Sequence, residues 1–222
     1  MKKLIVLALV VSGIIACNKG DSLPEGGGTV SLDLPETPFK YFAFGDDSLD
    51  HRATLGRVLF YENRLSLNNA VACASCHKQA FAFSDNVARS RGFENRLTGR
   101  NSMAIQNLGF DGFVVNPGGT FGSFFWDGRE NDLKKLISRP ISNHVEMGIE
   151  DLSVIPEKLE QLSFYRPLFE KAYGSSDITI DRISDALALF LTSIQSTNTR
   201  FDQDGSSGAS LSALEQHGNV LF

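Results

Sequence analysis

The sequence predicts a mainly α fold interrupted by long irregular loops. Apolar residues recur at helical spacing in several separate windows, and no stretch sustains the period-two alternation of a half-buried strand. Pro and Gly stand at or near the ends of those windows, where they punctuate helices. With 222 residues, 42% of them hydrophobic, the chain can bury one domain or two small ones and is too apolar to be disordered. A formal net charge of −5 argues against a nucleic-acid partner. Three cysteines cannot make a disulfide framework, so each needs its own explanation.

Residues 1–16 read as an export signal. Met1-Lys2-Lys3 is basic, Leu4 to Val11 is apolar but too short to span a bilayer, and Ala16 is a small residue before the cut. Ile14-Ile15-Ala16-Cys17 resembles a bacterial lipobox, which makes Cys17 the lipidated mature N-terminus and places the protein on the periplasmic face of the envelope. Several acyl chains, at about 0.8 kcal/mol per buried CH₂, hold a protein on a membrane durably. Cleavage removes Lys2 and Lys3 and no acid, which moves the formal charge from −5 to −7. Residues 17–38, with Gly26-Gly27-Gly28 among them, read as a flexible tether.

Residues 39–200 read as the first folded domain. Its sharpest feature is Cys73-Ala74-Ser75-Cys76-His77. Two thiols three positions apart can each add to one vinyl group of a haem, and the adjacent histidine is placed to ligate the iron. A zinc site would need a second Cys/His pair, and a thioredoxin-like motif would need a βαβ context without His77. The motif predicts covalent haem c. It does not choose between an open iron and one closed by His51, His144, His217, Met103 or Met147.

Between about residues 79 and 126 the chain is irregular. Beyond it, Leu133, Leu136 and Ile137 form a short stripe ended by Pro140. Leu152, Ile155, Leu159 and Leu162 form another, with Pro156 tolerable only in its first turn. Phe164 to Tyr173 is helical and stopped by Gly174. Ile183, Leu187, Phe190, Leu191 and Ile194 make one apolar face on a helix that Thr179 caps.

Residues 201–222 read as the start of a second domain. Ser212-Ala213-Leu214-Glu215 is a capping box, so a helix begins there. Gly218-Asn219-Val220-Leu221-Phe222 repeats the pattern of Gly56-Arg57-Val58-Leu59-Phe60 at an offset of 162 positions, and Cys73 follows Gly56 by seventeen residues. The repeat predicts a second haem-binding half, with another Cys-x-x-Cys-His roughly 10–20 residues further on.

The ordered blocks resemble the bacterial di-haem cytochrome c peroxidases and the wider group containing the di-haem enzyme that matures methylamine dehydrogenase. They run from Leu55-Gly56-Arg57 and Arg64-Leu65-Ser66 through Cys73 to His77, Ala80 to Asp85 and Gly99-Arg100-Asn101-Ser102. Phe125-Trp126-Asp127-Gly128-Arg129, Val145-Glu146-Met147-Gly148, Phe201-Asp202 and Leu211-Ser212 follow. The resemblance implies two cytochrome c-like helical domains with a haem each, of which this chain carries the first and the entrance to the second. It implies that His77 is the proximal ligand of the peroxidatic haem held by Cys73 and Cys76. Trp126 corresponds to the tryptophan between the haems, Glu146 to the distal acid/base, and Asn101 to a contributor to a calcium site. The implied activity is reduction of hydrogen peroxide with electrons from a small cytochrome c or cupredoxin, by a protein that could be a homodimer. Oxidation of a partner protein and mono-haem electron transfer are the alternatives.

Two positions depart from that pattern. Many members carry a histidine in the loop after the first haem motif, where this chain has Phe93 and no histidine between His77 and His144. A phenylalanine cannot ligate iron, so the expectation is a distal side that is open or water-bound. Leu136 stands where many members have a distal glutamine, and His144 is a stand-in donor or a surface residue.

Overall fold

The first helix starts at a carboxylate. Asp46 accepts hydrogen bonds from the backbone N–H of Ser48 (2.9 Å) and Leu49 (3.1 Å), and Asp47 and Asp50 add negative charge at the positive helix end. This helix, α1, spans Asp47–Phe60 in a computed structural model that describes residues 44–108, 124–196, 200–201 and 211–221. Those residues belong to the unit Thr37–Phe222. The signal segment, Cys17 and the tether lie outside the described residues.

The remaining α-helices among the described residues are α2 (Cys73–Cys76), α3 (Leu133–Ser142), α4 (Ile155–Glu160), α5 (Tyr165–Tyr173), α6 (Ile180–Ser193) and α7 (Ala213–Leu221). The fold is mainly helical, with no strand among the described residues. Three isolated antiparallel bridges, Lys78↔Ser84, Arg91↔Leu97 and Phe124↔Glu130, clip the loops instead. No described helix is long and apolar enough to cross a membrane.

The centre of the core is α1 against α6, with α5 alongside α1. α6 begins as expected, Thr179 accepting from the Arg182 N–H at 3.3 Å. It buries Ile183, Ala186, Leu187, Phe190 and Leu191. Gly56 lets the two backbones meet: a Cβ there would sit 1.9 Å from the Ala186 carbonyl oxygen and 2.8 Å from Phe190 Cβ. One turn on, the Phe60 ring lies 5.2 Å from that of Phe190 and 6.0 Å, edge-on, from that of Phe83. α5 ends where Gly174 turns left-handed (φ +71°), and its Tyr165 hydroxyl donates to Glu62 at 2.7 Å.

Two helix boundaries differ from the sequence reading. α3, capped by Asp132 on the Lys135 N–H (3.1 Å), continues through Pro140 to Ser142 rather than stopping there. A proline so near the end of a helix removes only the bond to the Leu136 carbonyl. The expected stripe from Leu152 to Leu162 splits into a 3-10 turn, Leu152–Val154, and α4, because Pro156 lacks the N–H that a continuous helix needs and is tolerated only in a first turn.

The capping box at α7 forms: Glu215 N–H donates to Ser212 Oγ (3.3 Å) and Ser212 N–H to Glu215 Oε2 (2.7 Å). Gly218 to Leu221 occupies the end of α7 as Gly56 to Phe60 occupies the end of α1. Leu214, Val220 and Leu221 of α7 are exposed.

Alanine is favoured over glycine inside a helix by about 1 kcal/mol, but at Gly56 the carbonyl of Ala186 stands in the way. Gly56→Ala is therefore expected to lose about 1–3 kcal/mol of stability, measured as a lower urea midpoint. Gly218→Ala, with nothing within 4 Å of the added methyl, is expected to lose none. An unchanged midpoint for Gly56→Ala contradicts the close-approach argument.

Candidate functional site

Ser75 starts the site by accepting the Ala72 N–H at 3.0 Å, which stabilises the single turn of α2. Cys73 and Cys76 lie on that turn and His77 ends it. The chain then reverses through the Lys78↔Ser84 bridge, with Ala82 and Phe83 both left-handed at φ 55°. The reversal brings the Phe83 carbonyl to 3.0 Å from His77 Nδ1. A carbonyl only accepts, so Nδ1 carries the proton of the neutral ring and the lone pair is left on Nε2. Burial pushes the His77 pKa below its ordinary value, against the Phe83 and Met103 backbone groups and the Asp85 carboxylate, which favour the charged ring. The ring is accordingly neutral, as a metal ligand must be.

The two thiols are not paired to each other. Burial pushes Cys73 up to about 12 and also raises Cys76, the latter against a hydrogen bond with Ser90. Both are neutral thiols at pH 7, unlike the thiolates of a zinc or redox site. Beneath them Asp85, its side chain 2% exposed, accepts from Lys78 Nζ (2.7 Å) and Ser90 Oγ (2.6 Å), and Ser90 meets Ser102 Oγ at 2.9 Å.

A cavity of about 520 Å³ opens above this turn. Cys73, Cys76, His77, Asn101, Trp126 and Glu146 all line it, so the haem-attachment, distal, inter-haem and calcium candidates reach one space. Phe60, Leu136, Ile141, Leu187 and Leu191 make much of the wall apolar. The residues fit a haem: two thiols and an oriented imidazole lie at one wall of an apolar cavity within the size range of cofactor pockets.

Glu146 lies in the loop after α3. Its Oε1 accepts from Asn143 Nδ2 at 2.9 Å. Burial raises its pKa above the ordinary carboxylate value, opposed by the Arg129 charge and the Asn143 hydrogen bond. A second element grips this loop from outside: Phe93 N–H donates to the Glu146 carbonyl (2.8 Å), and Arg96 donates to the His144 carbonyl (3.3 Å). Phe93 does not line the cavity; its ring covers Gly148.

Trp126 is 58% exposed on the cavity rim and is not part of the core. Its indole N–H donates to the Asn101 carbonyl at 2.8 Å. Asp127 ties the same turn to Arg129 (2.8 Å) and Arg100 (3.2 Å), and Arg129 stacks on Phe125 at 3.8 Å. Asn101 spends its side-chain N–H on the Val87 carbonyl (2.8 Å), so its side-chain oxygen is the atom suited to a cation. No group of three His, Cys, Asp or Glu suited to a metal occurs among the described residues.

Of the candidate sixth ligands, Met103 and Met147 line the cavity, whereas His51, His144 and His217 do not. His144 is exposed, a surface residue rather than a stand-in donor. Arg129 and Asn143 are the site residues that the sequence reading missed. Arg129 closes a quoted block, and Asn143, just past a helix end and three residues before Glu146, carries a capping signal.

A family model described as di-haem cytochrome c peroxidase matches residues 50–208. The cytochrome c551 peroxidase of Nitrosomonas europaea is 32% identical over 198 residues, covering 88% of this chain and 54% of that protein. The methylamine utilization protein MauG of Methylophilus methylotrophus is 32% identical over 152 residues, covering 68% and 42%. The crystal structure of a MauG-like protein associated with microbial copper homeostasis superposes with a TM-score of 0.64 at 28% identity, over 84% of this chain and 53% of that one. The diheme peroxidase BthA of Burkholderia thailandensis, 21% identical, shares the fold with a TM-score of 0.61 over 80% and 46%. The chain spans about half the length of the curated relatives it matches. Its helical fold and the match over residues 50–208 make it a member of the di-haem cytochrome c peroxidase family, whose cofactor is haem c.

Proposed function

We propose that this chain forms the peroxidatic part of a c-type haem enzyme that reduces hydrogen peroxide to water with electrons from a small cytochrome c or cupredoxin. The observation that carries the reading is that Cys73, Cys76, His77 and Glu146 face one apolar cavity. The thiols of Cys73 and Cys76 would add across the two vinyl groups, S–H across C=C with no leaving group, and His77 Nε2 would hold the iron. Haem, once bound, supplies the iron at which peroxide is reduced. Glu146 takes a proton from one peroxide oxygen and returns it to the other, a transfer that splitting the O–O bond requires. Its raised pKa suits both steps, because a carboxyl closer to the working pH releases and accepts protons with less penalty. Trp126, exposed at the rim, carries electrons from a second haem. Asn101 contributes its side-chain oxygen to a calcium ion. Cys17 holds the protein by lipid to the periplasmic face.

A second reading, oxidation of a partner protein, is favoured by the exposure of Trp126, since an indole at a cavity rim can pass oxidising equivalents to a macromolecule docked outside. Peroxide turnover assayed with and without a reduced cytochrome separates the two. Turnover that depends on the cytochrome supports the peroxidase.

Glu146→Gln is expected to slow peroxide turnover about 10²–10⁴-fold while leaving haem content unchanged. The wild-type rate is expected to fall as pH drops through the raised pKa of Glu146, where the carboxyl becomes protonated and stops accepting. Unchanged turnover in the variant would remove Glu146 from the mechanism. With Phe93 turned onto Gly148 and no histidine lining the distal wall, the resting ferric protein is expected to show a five-coordinate or water-bound haem at His77. A low-spin spectrum for this haem, with a histidine, Met103 or Met147 as sixth ligand, would contradict that expectation.

A further inference from the structure

We propose that Asn143 is the positioning residue for Glu146, selecting Oε2 as the carboxylate oxygen that exchanges the proton; this rests on the acid/base reading of Glu146. The Asn143 side chain is fixed at both ends. Its Oδ1 accepts the Val145 N–H at 2.9 Å, so the oxygen cannot be the atom facing Glu146. Its Nδ2 therefore points to Glu146 and donates to Oε1 at 2.9 Å. One carboxylate oxygen is held by an oriented amide, and the other remains for exchange.

The backbone of Asn143 reinforces this. Its carbonyl receives the N–H groups of Glu146 (3.0 Å), Met147 (3.1 Å) and Gly148 (2.9 Å), so the loop carrying the carboxylate folds around one residue at the end of α3. At the adjacent wall Leu136 offers no polar group to Glu146. The ionisable groups around Glu146 are Arg129, whose charge favours the carboxylate, and Cys76, a neutral thiol. On the elements packed outside, Arg96 is paired with Glu94, and His144 is exposed. Of all these groups only Asn143 hydrogen-bonds the carboxylate through its side chain.

The role can be isolated because Asn143 does two things that different substitutions separate. Asn143→Asp keeps an oxygen for the Val145 N–H, and so keeps the turn, but replaces the donor to Glu146 with a like charge. Losing the donor and adding the charge both disfavour the Glu146 carboxylate, so its proton is held to higher pH.

The readout is the association rate of cyanide with the ferric, haem-loaded protein as a function of pH, since hydrogen cyanide must give up its proton to a distal base as it binds. Asn143→Asp is expected to move the midpoint of that profile upward by about 1 pH unit or more. The haem absorbance spectrum is expected to stay unchanged, which a structural collapse would not allow. If Asn143→Asp fails to take up haem, Asn143→Ser carries the test. Its hydroxyl can accept from the backbone, and the midpoint is again expected to rise. Glu146→Gln is the control. If it removes the pH dependence while the Asn143 variants leave the midpoint at the wild-type value, the inference is overturned and the Glu146 reading stands. If Glu146→Gln retains the wild-type profile, the Glu146 reading falls and this inference falls with it.

Discussion

The close approach of α1 to α6 at Gly56 is the contact on which the cavity depends. Only a residue without a side chain lets the Ala186 carbonyl stand where a Cβ would be. That proximity brings Phe60 onto Phe190 and leaves room for Phe83 to pack edge-on against Phe60. Phe83 is where the helical core takes control of the loop. Its ring is buried in the aromatic cluster and its carbonyl holds His77 Nδ1. A single such hydrogen bond is worth about 0.5–1.5 kcal/mol, whereas pulling a buried phenylalanine out of a core costs several times that. The orientation of the imidazole is therefore set by the core, two steps removed from α1 and α6.

Local strain around the cavity is concentrated at the three bridged loops. Ala82 and Phe83 lie inside the first, Glu94 and Asn95 inside the second, and Phe125 inside the third, all non-glycine residues at φ between 54° and 66°. Left-handed backbone of this kind costs about 1–2 kcal/mol per residue. The bridges, the Lys78–Asp85–Ser90 network and the Arg100–Asp127–Arg129 clamp offset that cost. Each strained turn serves the site: the first supplies the Phe83 carbonyl, the second grips the Glu146 loop, and the third lifts Trp126 to the rim.

The helix ends closed by Thr179, Gly174 and Ser212 were legible in the sequence, whereas the side-chain caps at Asp46 and Asp132 were not read. α1 was not read as a helix, although its last residues were noted for their repeat. It buries Ala53, Leu55, Gly56, Leu59 and Phe60 against both α5 and α6, so it shows no single stripe for a periodicity argument to find. Pro140 misled because proline rules concern helix interiors, and a helix that ends two residues later has almost no interior left to break. At the site, Cys73, Cys76 and His77 were legible because their spacing is itself the chemistry. Glu146, Trp126 and Asn101 were legible through ordered blocks, and the structure brings them to the same cavity. Arg129 was not, because its influence on Glu146 comes from folding across seventeen positions of sequence and leaves no local pattern.

Phe93 is a packing residue: its ring covers Gly148 and its N–H holds the Glu146 loop. A Cβ at Gly92 would lie 2.2 Å from the Val145 carbonyl, and one at Gly148 would lie 2.9 Å from the Phe93 ring. The loop clipped by the Arg91↔Leu97 bridge thus meets the Glu146 loop backbone against backbone at Gly92, joined by the Phe93 N–H to the Glu146 carbonyl. Gly148, at φ +80°, needs its missing side chain twice, once for the turn and once for the ring that covers it. A loop seated this way cannot swing into the cavity without breaking that hydrogen bond and uncovering Gly148. The same contacts that keep Phe93 out of the cavity hold the main chain of Glu146, so the shape of that wall and the placement of the carboxylate have one structural cause.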